Sequence, residues 1–194
     1  MEKVPEKNRV ENKEQEIELE IEGFYKRQLE QKQTGDKRVS LNELMKLKEK
    51  GITTEKFLDY ICKKYKKLLH GSIREIVDEK LKSEHNKIFT TNKSAVAIMR
   101  SLYSNENVNL EYPYFISKEK PLTLKIHTKT DGTVVKTNKG FVYVVDDAGF
   151  QNDPEGSWQF VKEAKEVEFK MSVEIEDKDF NYSVEFFNDL DLQK

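Results

Sequence analysis

The chain has 194 residues, of which 36% are hydrophobic and 36% are charged, and its formal net charge is -2. This length fits one domain with an appendage, or two small domains, and the high charge predicts a long polar segment beside a normal core. The nearly balanced charge does not favour nucleic-acid or membrane binding by the molecule as a whole. The single cysteine, Cys62, excludes an intrachain disulfide and a cysteine-based metal site.

The sequence also predicts a compartment. Its N-terminus is highly charged and lacks the apolar run of a secretory signal. No stretch approaches the roughly 20 apolar residues that a membrane helix needs, and the absence of cysteine pairs fits a reducing environment. We therefore expect a cytoplasmic protein, with export by a signal that has no apolar core as the alternative.

The first third of the chain is predicted to be helical. Residues 1–35 form a polar leader, which we expect to be disordered to about residue 15 and helical from Gln15 to about Gln31. A helical hairpin follows over residues 36–66. We expect this third to contact a protein partner or acceptor, and self-association through it is a further possibility.

Capping signals define the two helices of the hairpin. Ser40 and Glu43 form a capping-box pattern at the start of the first helix, and Gly51 is placed to end it in a left-handed conformation. Thr53 or Thr54 is placed to cap the second helix. That helix carries an apolar face at helical spacing, made of Phe57, Leu58, Ile61, Cys62 and Tyr65.

Residues 67–194 are predicted to form one α+β domain rich in antiparallel strands. Asn92 is placed to begin a helix, and Asp131-Gly132 is typical of a hairpin turn. Apolar runs or alternating apolar residues indicate strands. The strand candidates are Leu122–Ile126, Val134-Val135, Gly140–Val145, Val167–Ile175 and Phe180–Phe186.

Three segments contain the residues with chemical potential. The first is the sequence LLHGS, in which a histidine at the end of a buried strand precedes Gly71. That order can place the imidazole of His70 at the floor of a cleft, where glycine lets a ligand approach the backbone. The second segment is IFTTNKSA, residues 88–95, a strand that leads into a helix. The third is VYVVDDAGFQNDP, residues 142–154, a strand that leads into an acidic loop.

These segments, in this order, resemble the ADP-ribosyltransferase superfamily, in its diphtheria-toxin-like and poly(ADP-ribose) polymerase-like branch. The likeness is greatest to the rifampin ADP-ribosyltransferases, which share an LHGT start, a YFTAT segment that enters a helix, and a VYVVEPxGPFEDDP strand and loop. The resemblance spans roughly residues 65 to 176, apart from Tyr103–Pro121. It implies a mostly antiparallel split β-sheet core of ADP-ribosyltransferase type, which here follows a helical N-terminal third.

The resemblance implies that NAD is bound as a substrate. His70 would hydrogen-bond the nicotinamide-side ribose, and the backbone of Gly71 would clamp the nicotinamide amide. Ser94 would contact the same amide. The implied NAD-binding set also includes Ser72, Phe89 and Thr90. No metal is implied.

The resemblance also implies catalytic residues, His70 and an acidic group in the third segment, Asp153. In other branches the acid is a glutamate on a late strand, so Glu174 and Glu185 are alternatives. Breaking the glycosidic bond of NAD leaves positive charge on the ribose. A site for this reaction must hold the ribose rigidly and benefits from an anion near the developing charge.

Three functions follow as hypotheses. The first is an ADP-ribosyltransferase that modifies a macromolecule, since the first seventy residues have no counterpart in the antibiotic-modifying enzymes. The second is a catalytically degenerate nucleotide- or protein-binding module, which is favoured because the matching strand, residues 87–90, has no tyrosine. The third is an RNA 2'-phosphotransferase, which needs several arginines in the cleft. Only Arg74 and Arg100 lie in this region.

Overall fold

The computed structural model describes residues 6–31, 37–39, 41–83, 85–103, 108–109, 123–128, 136–153 and 158–187. These residues form four α-helices: α1 (Glu6–Gln31), α2 (Leu41–Glu49), α3 (Thr54–Tyr65) and α4 (Ser94–Leu102). The first six strands are β1 (Arg38–Val39), β2 (Lys67–Ser72), β3 (Lys80–Lys82), β4 (Lys87–Thr91), β5 (Val108–Asn109) and β6 (Thr123–Thr128). The next six are β7 (Lys139–Asp146), β8 (Gln151–Asn152), β9 (Gln159–Glu163), β10 (Glu166–Glu168), β11 (Met171–Glu176) and β12 (Ser183–Phe187).

A mixed seven-stranded sheet with the order β1-β11-β7-β2-β4-β9-β8 is the centre of the fold. Its only parallel pair is the edge pair of β1 and β11, and the other neighbours in the sheet are antiparallel. Two smaller sheets flank it: β10 pairs with β3, and β6 pairs with β5 and β12. The predicted α+β class with a helical N-terminal third is confirmed.

Helix α1 is longer than predicted, because it begins at Glu6 and not near Gln15. Its C-terminal half is anchored in the core, where Ile21, Phe24 and Tyr25 are buried. Once such a half is docked, the helix can extend through glutamate-, lysine- and glutamine-rich sequence at little cost, because these residues are good helix formers. Residues 1–5 lie outside the described residues.

The capping signals of the hairpin place its helices correctly. Helix α2 begins at Leu41, directly after the predicted cap Ser40, which lies outside the described residues. Gly51 adopts the left-handed conformation at φ 76°. Thr53 caps α3, and its side-chain oxygen accepts a hydrogen bond from the backbone N–H of Lys56 at 3.1 Å.

The helices pack on one face of the large sheet and share a single core with it. That core joins α1, α3 and α4 to β7 and β11, so the helical third does not have a separate core. Cys62 belongs to this cluster, and burial raises the pKa of its thiol to about 12, as expected for a packing residue. A smaller cluster on the opposite face includes Leu68, Ile88, Phe141, Tyr143 and Phe169.

Helix α4 contacts the sheet at two glycines. A Cβ atom at Gly71 would lie 2.1 Å from the carbonyl oxygen of Ala97, and one at Gly140 would lie 1.7 Å from that of Ser101. Side chains at either position would therefore push the helix away from β2 and β7. The glycine after His70 is required by packing, whatever else it does.

One predicted strand is divided in the structure. The alternating run Val167–Ile175 forms β10 and β11, which belong to different sheets. The backbone N–H of Phe169 donates to Glu79, whereas that of Lys170 donates to Val144, so the chain changes partners between them. The strand predicted at Leu122–Ile126 is confirmed as β6, while the turn at Asp131-Gly132 and the strand Val134-Val135 lie outside the described residues.

The glycine contacts lead to a prediction about stability. Gly71→Ala and Gly140→Ala should each lower the free energy of unfolding by at least about 3 kcal/mol, because the added methyl group overlaps backbone atoms of α4. Gly23→Ala is the matched control. Its Cβ would meet only the Arg27 guanidinium, at 3.4 Å, so this change within α1 should stabilise by about 0.5–1 kcal/mol. Urea unfolding measures all three, and equal effects would contradict the packing argument.

Candidate functional site

The candidate site lies where strands β2 and β4 separate. Their backbones pair only at Leu69 and Thr91 within the described residues. Beyond that pair, a side chain takes the place of the ladder: Nδ1 of His70 donates a hydrogen bond to the carbonyl oxygen of Phe89 at 2.8 Å. Two of the three segments singled out in the sequence thus meet at a gap in the central sheet.

The direction of the backbone polar groups follows from the ladder. Alternate residues of an antiparallel strand turn their N–H and C=O groups toward the same neighbour. The carbonyl of Phe89 points to β2, since it accepts from His70, and Thr91 shares that direction. Its partner Leu69 therefore faces β4. Gly71, two residues further along, directs its N–H and C=O into the same gap.

The hydrogen bond also determines the state of the histidine. A carbonyl oxygen can only accept, so Nδ1 of His70 carries the proton. Burial lowers the pKa of His70, and the nearby charge of Arg100 lowers it further, against an opposing effect of the bond to Phe89. The ring is therefore neutral near pH 7, with Nε2 as an acceptor.

The gap opens into a narrow cleft between β2, β4, α4 and the start of β9. Of the predicted site residues, His70, Gly71, Phe89 and Thr90 line it. Phe89 as a residue is 36% exposed, which is unusual for a phenylalanine in a central strand. The structure brings these four residues together in one cleft.

Other lining residues were not predicted as site residues. Val96 and Arg100 enter from α4, and Trp158 and Gln159 enter from the start of β9. Trp158 has a left-handed backbone, at φ 64°, a conformation that is unfavourable for a bulky residue and recurs at functional sites. Sequence periodicity gives no signal for this side chain.

Two predicted residues are bonded elsewhere. Ser72 Oγ donates to the carbonyl of Arg74 at 2.9 Å and accepts from its N–H. Ser94 is 1% exposed, and its hydroxyl donates to Asp59 Oδ1 at 2.6 Å. Neither serine is among the residues that line the cleft.

The acidic candidates occupy three different places. Asp153 follows β8, beside the cleft, and its N–H donates to the carbonyl of Gln159 at 2.9 Å. Glu185 is exposed on β12. Glu174 is buried on β11, where its carboxylate pairs with Arg38 at 2.6 Å and Lys139 at 2.8 Å.

The environment of Glu174 is that of a structural ion pair. Burial alone would raise its pKa, but the hydrogen bonds and charges of Lys139 and Arg38 prevail, so the pKa of the carboxyl lies below its usual value. It is compensated by two cations and lies away from the cleft. Among the three acids, Asp153 is the one whose backbone contacts a cleft residue.

Comparison of the chain with protein-family models, with curated proteins and with solved structures gives no match. None of the helices within the described ranges has the length and apolar character of a membrane span. In the same part of the chain, no three His, Cys, Asp or Glu side chains converge as a metal site would require. Function must therefore be argued from the cleft itself.

The neutral state of His70 predicts a pH dependence of stability. The pKa of folded His70 lies below the ordinary value of about 6.5. Below that pH the unfolded chain therefore takes up a proton that the folded chain does not, and stability falls on acidification by up to about 1.4 kcal/mol per pH unit. His70→Gln keeps an N–H donor and does not titrate.

Urea unfolding at several pH values gives the free energies of unfolding of wild type and His70→Gln. The difference between the two should be constant above about pH 7. It should shrink from about pH 6.5 downward. If the unfolding free energies of the two proteins change equally with pH over this range, burial does not disfavour the imidazolium form of His70.

Proposed function

We propose that the cleft binds NAD and that the protein transfers ADP-ribose from it to a macromolecular acceptor. The observation that carries this proposal is the opening of the β2–β4 ladder beside Gly71, with His70 hydrogen-bonded across it. The resemblance of the three sequence segments supports the same assignment. The class of fold that the proposal requires is a split sheet of ADP-ribosyltransferase type.

The gap is chemically complementary to a carboxamide. The backbone of Gly71 presents one donor and one acceptor in the plane of the sheet, and a primary amide offers the reverse pair. The neighbouring ring of Phe89 is exposed and can stack on a planar heterocycle. Nicotinamide has both features, an amide and a flat aromatic ring.

Two side chains suit the rest of NAD. Neutral His70 has Nε2 as an acceptor for a ribose hydroxyl, which agrees with the role that the family resemblance implies. Arg100 carries a permanent positive charge at the cleft wall and suits a phosphate. No titration of His70 is needed for this role, since it acts as an anchor.

The reaction needs a rigid ribose and a departing group. Cleavage of the bond between ribose C1' and the nicotinamide nitrogen sends the bonding pair to the nicotinamide, which leaves neutral. The acceptor then forms the new bond to C1' with its own lone pair and loses a proton. Asp153 is the acid best placed to assist, because its backbone is bonded to Gln159 of the cleft.

A second function, binding of a nucleotide without turnover, is favoured by two observations. The strand that matches the family's tyrosine-containing segment has no tyrosine, and the ring of Phe89 offers no hydroxyl. The hydroxyl of Ser94 is engaged with Asp59 and does not line the cleft. An RNA 2'-phosphotransferase is disfavoured, since Arg74 is outside the cleft lining and Arg100 is the only arginine among the residues that form it.

The proposal is tested with NAD labelled on its adenylate phosphate, incubated with the protein and a cell lysate. Wild type should transfer label to a discrete acceptor. His70→Ala should lose transfer and bind NAD at least about tenfold more weakly in calorimetry, because a half-buried hydrogen-bonding anchor is removed. His85→Ala, at an exposed histidine outside the cleft, is the matched control and should resemble wild type.

The outcomes separate the candidate functions. Binding of NAD without transfer or nicotinamide release would establish the second function. Absence of both binding and transfer in wild type would refute the assignment of the cleft to NAD. If transfer is observed, the catalytic acid is identified by comparing Asp153→Asn with Glu174→Gln and Glu185→Gln. We expect Asp153→Asn to lose most activity.

A further inference from the structure

The N-terminus of α4 is capped by a residue of another helix. The N-cap position, Lys93, makes no side-chain capping bond of its own. Instead, Oδ1 of Asp59 on α3 accepts from the hydroxyl of Ser94 at 2.6 Å and from the backbone N–H of Ser94 at 3.4 Å. The carboxylate therefore satisfies a donor of the first turn, where a negative charge is also favoured by the helix dipole.

The capped turn is directly connected to the cleft. The ammonium group of Lys93 lies 5.9 Å from the ring centre of Trp158, which lines the cleft in a left-handed backbone conformation. The same helix supplies Val96 and Arg100 to the cleft wall. A change in the position of the first turn of α4 would thus be transmitted to both walls.

The glycine contacts hold α4 against the sheet between Ala97 and Ser101, and Asp59 binds the first residue of the helix, Ser94. Ser94 is buried, so its hydroxyl needs a partner there, and a lost partner leaves an unsatisfied group. Asp59 itself is exposed and belongs to the helical hairpin. Besides the apolar core that α3 shares with α4, the hairpin is therefore joined to the start of α4 by this side chain.

We propose that Asp59 is a positioning residue for the cleft: by capping α4 from the helical hairpin, it fixes Lys93, Trp158 and Arg100 in the arrangement that binds the ligand. The effect on ligand binding rests on the proposed function, whereas the effect on Trp158 does not. This residue was not singled out by the sequence, in which Asp59 is one of many charged residues on the solvent side of a helix.

The test compares Asp59→Ala with Asp59→Asn, which retains a side-chain oxygen acceptor for Ser94. Lys63→Ala, at an exposed position of the same helix, is the matched control. Trp158 is the only tryptophan in the chain, so its fluorescence and acrylamide quenching report on the cleft alone. All measurements are made on the full chain, well below the unfolding temperature of each variant.

Asp59→Ala should shift the emission of Trp158 to longer wavelength and raise its quenching constant. It should weaken NAD binding about five- to tenfold, the equivalent of one capping hydrogen bond. Asp59→Asn should restore most of both properties, and Lys63→Ala should match wild type. A purely structural role of Asp59 would lower the unfolding temperature without changing the quenching of folded protein.

The two proposals fail separately. Suppose that wild type does not bind NAD, while Asp59→Ala still changes the emission and quenching of Trp158 and Asp59→Asn does not. In that case the positioning role stands and the proposed function falls. If folded Asp59→Ala has the quenching constant of wild type, the positioning role is overturned, whatever NAD does. If Asp59→Ala does not fold, Ser94→Ala takes its place, because it removes the donor of the same hydrogen bond. The emission and quenching of Trp158 then decide the outcome in the same way.

Discussion

The close contact between α4 and the central sheet is the constraint on which the rest of the structure depends. It is possible only because β2 and β7 carry glycine where the helix crosses them, at Gly71 and Gly140. With the helix seated at this depth, its first turn meets α3 and its outer side forms a wall of the cleft. Packing and site geometry therefore share the same residues, and changes to one will alter the other.

The second constraint is the place where the sheet stops being regular. A continuous ladder between β2 and β4 would satisfy the backbone of Gly71 and leave no room for a ligand. Instead, His70 contributes its imidazole to the carbonyl of Phe89, so the gap is stabilised by a side chain. Burial lowers the pKa of the imidazole and so keeps it neutral, and the hydrogen bond to Phe89 fixes its tautomer. An irregular sheet is thereby converted into a defined arrangement of donors and acceptors.

The helical third has a structural role as well as any role in contacting partners. It shares the main core with the sheet, and Asp59 joins it to the first residue of α4, the helix that supplies Val96 and Arg100 to the cleft. Its surface also meets the C-terminal segment, where Asp179 is bonded by Thr54 and Lys48. A helical appendage placed in this way cannot be removed without exposing the apolar face of α4 and the sheet.

Local signals in the sequence predicted much of the local structure, although the predicted cap Asn92 is wrong, since Lys93 is the N-cap residue of α4. The hairpin, its left-handed Gly51 and the Thr53 cap follow from capping chemistry, which acts between residues a few positions apart. The split of the run Val167–Ile175 did not follow, because alternation alone does not say which strand pairs with which. Helix α1 begins earlier than predicted, because its docked C-terminal half supports an N-terminal half that is polar. That polar half has no apolar periodicity from which a helix could be predicted.

For the candidate site, the sequence by itself determined which strand ends carry chemically capable groups: His70 with Gly71, and Phe89 with Thr90. It did so because a motif records the residue types that one strand end requires. Only the tertiary structure decided which of these residues share a cleft, that Ser94 is held by Asp59, and that Arg100 and Trp158 complete the walls. These relations join segments far apart in the chain, and they are set by helix seating and strand pairing.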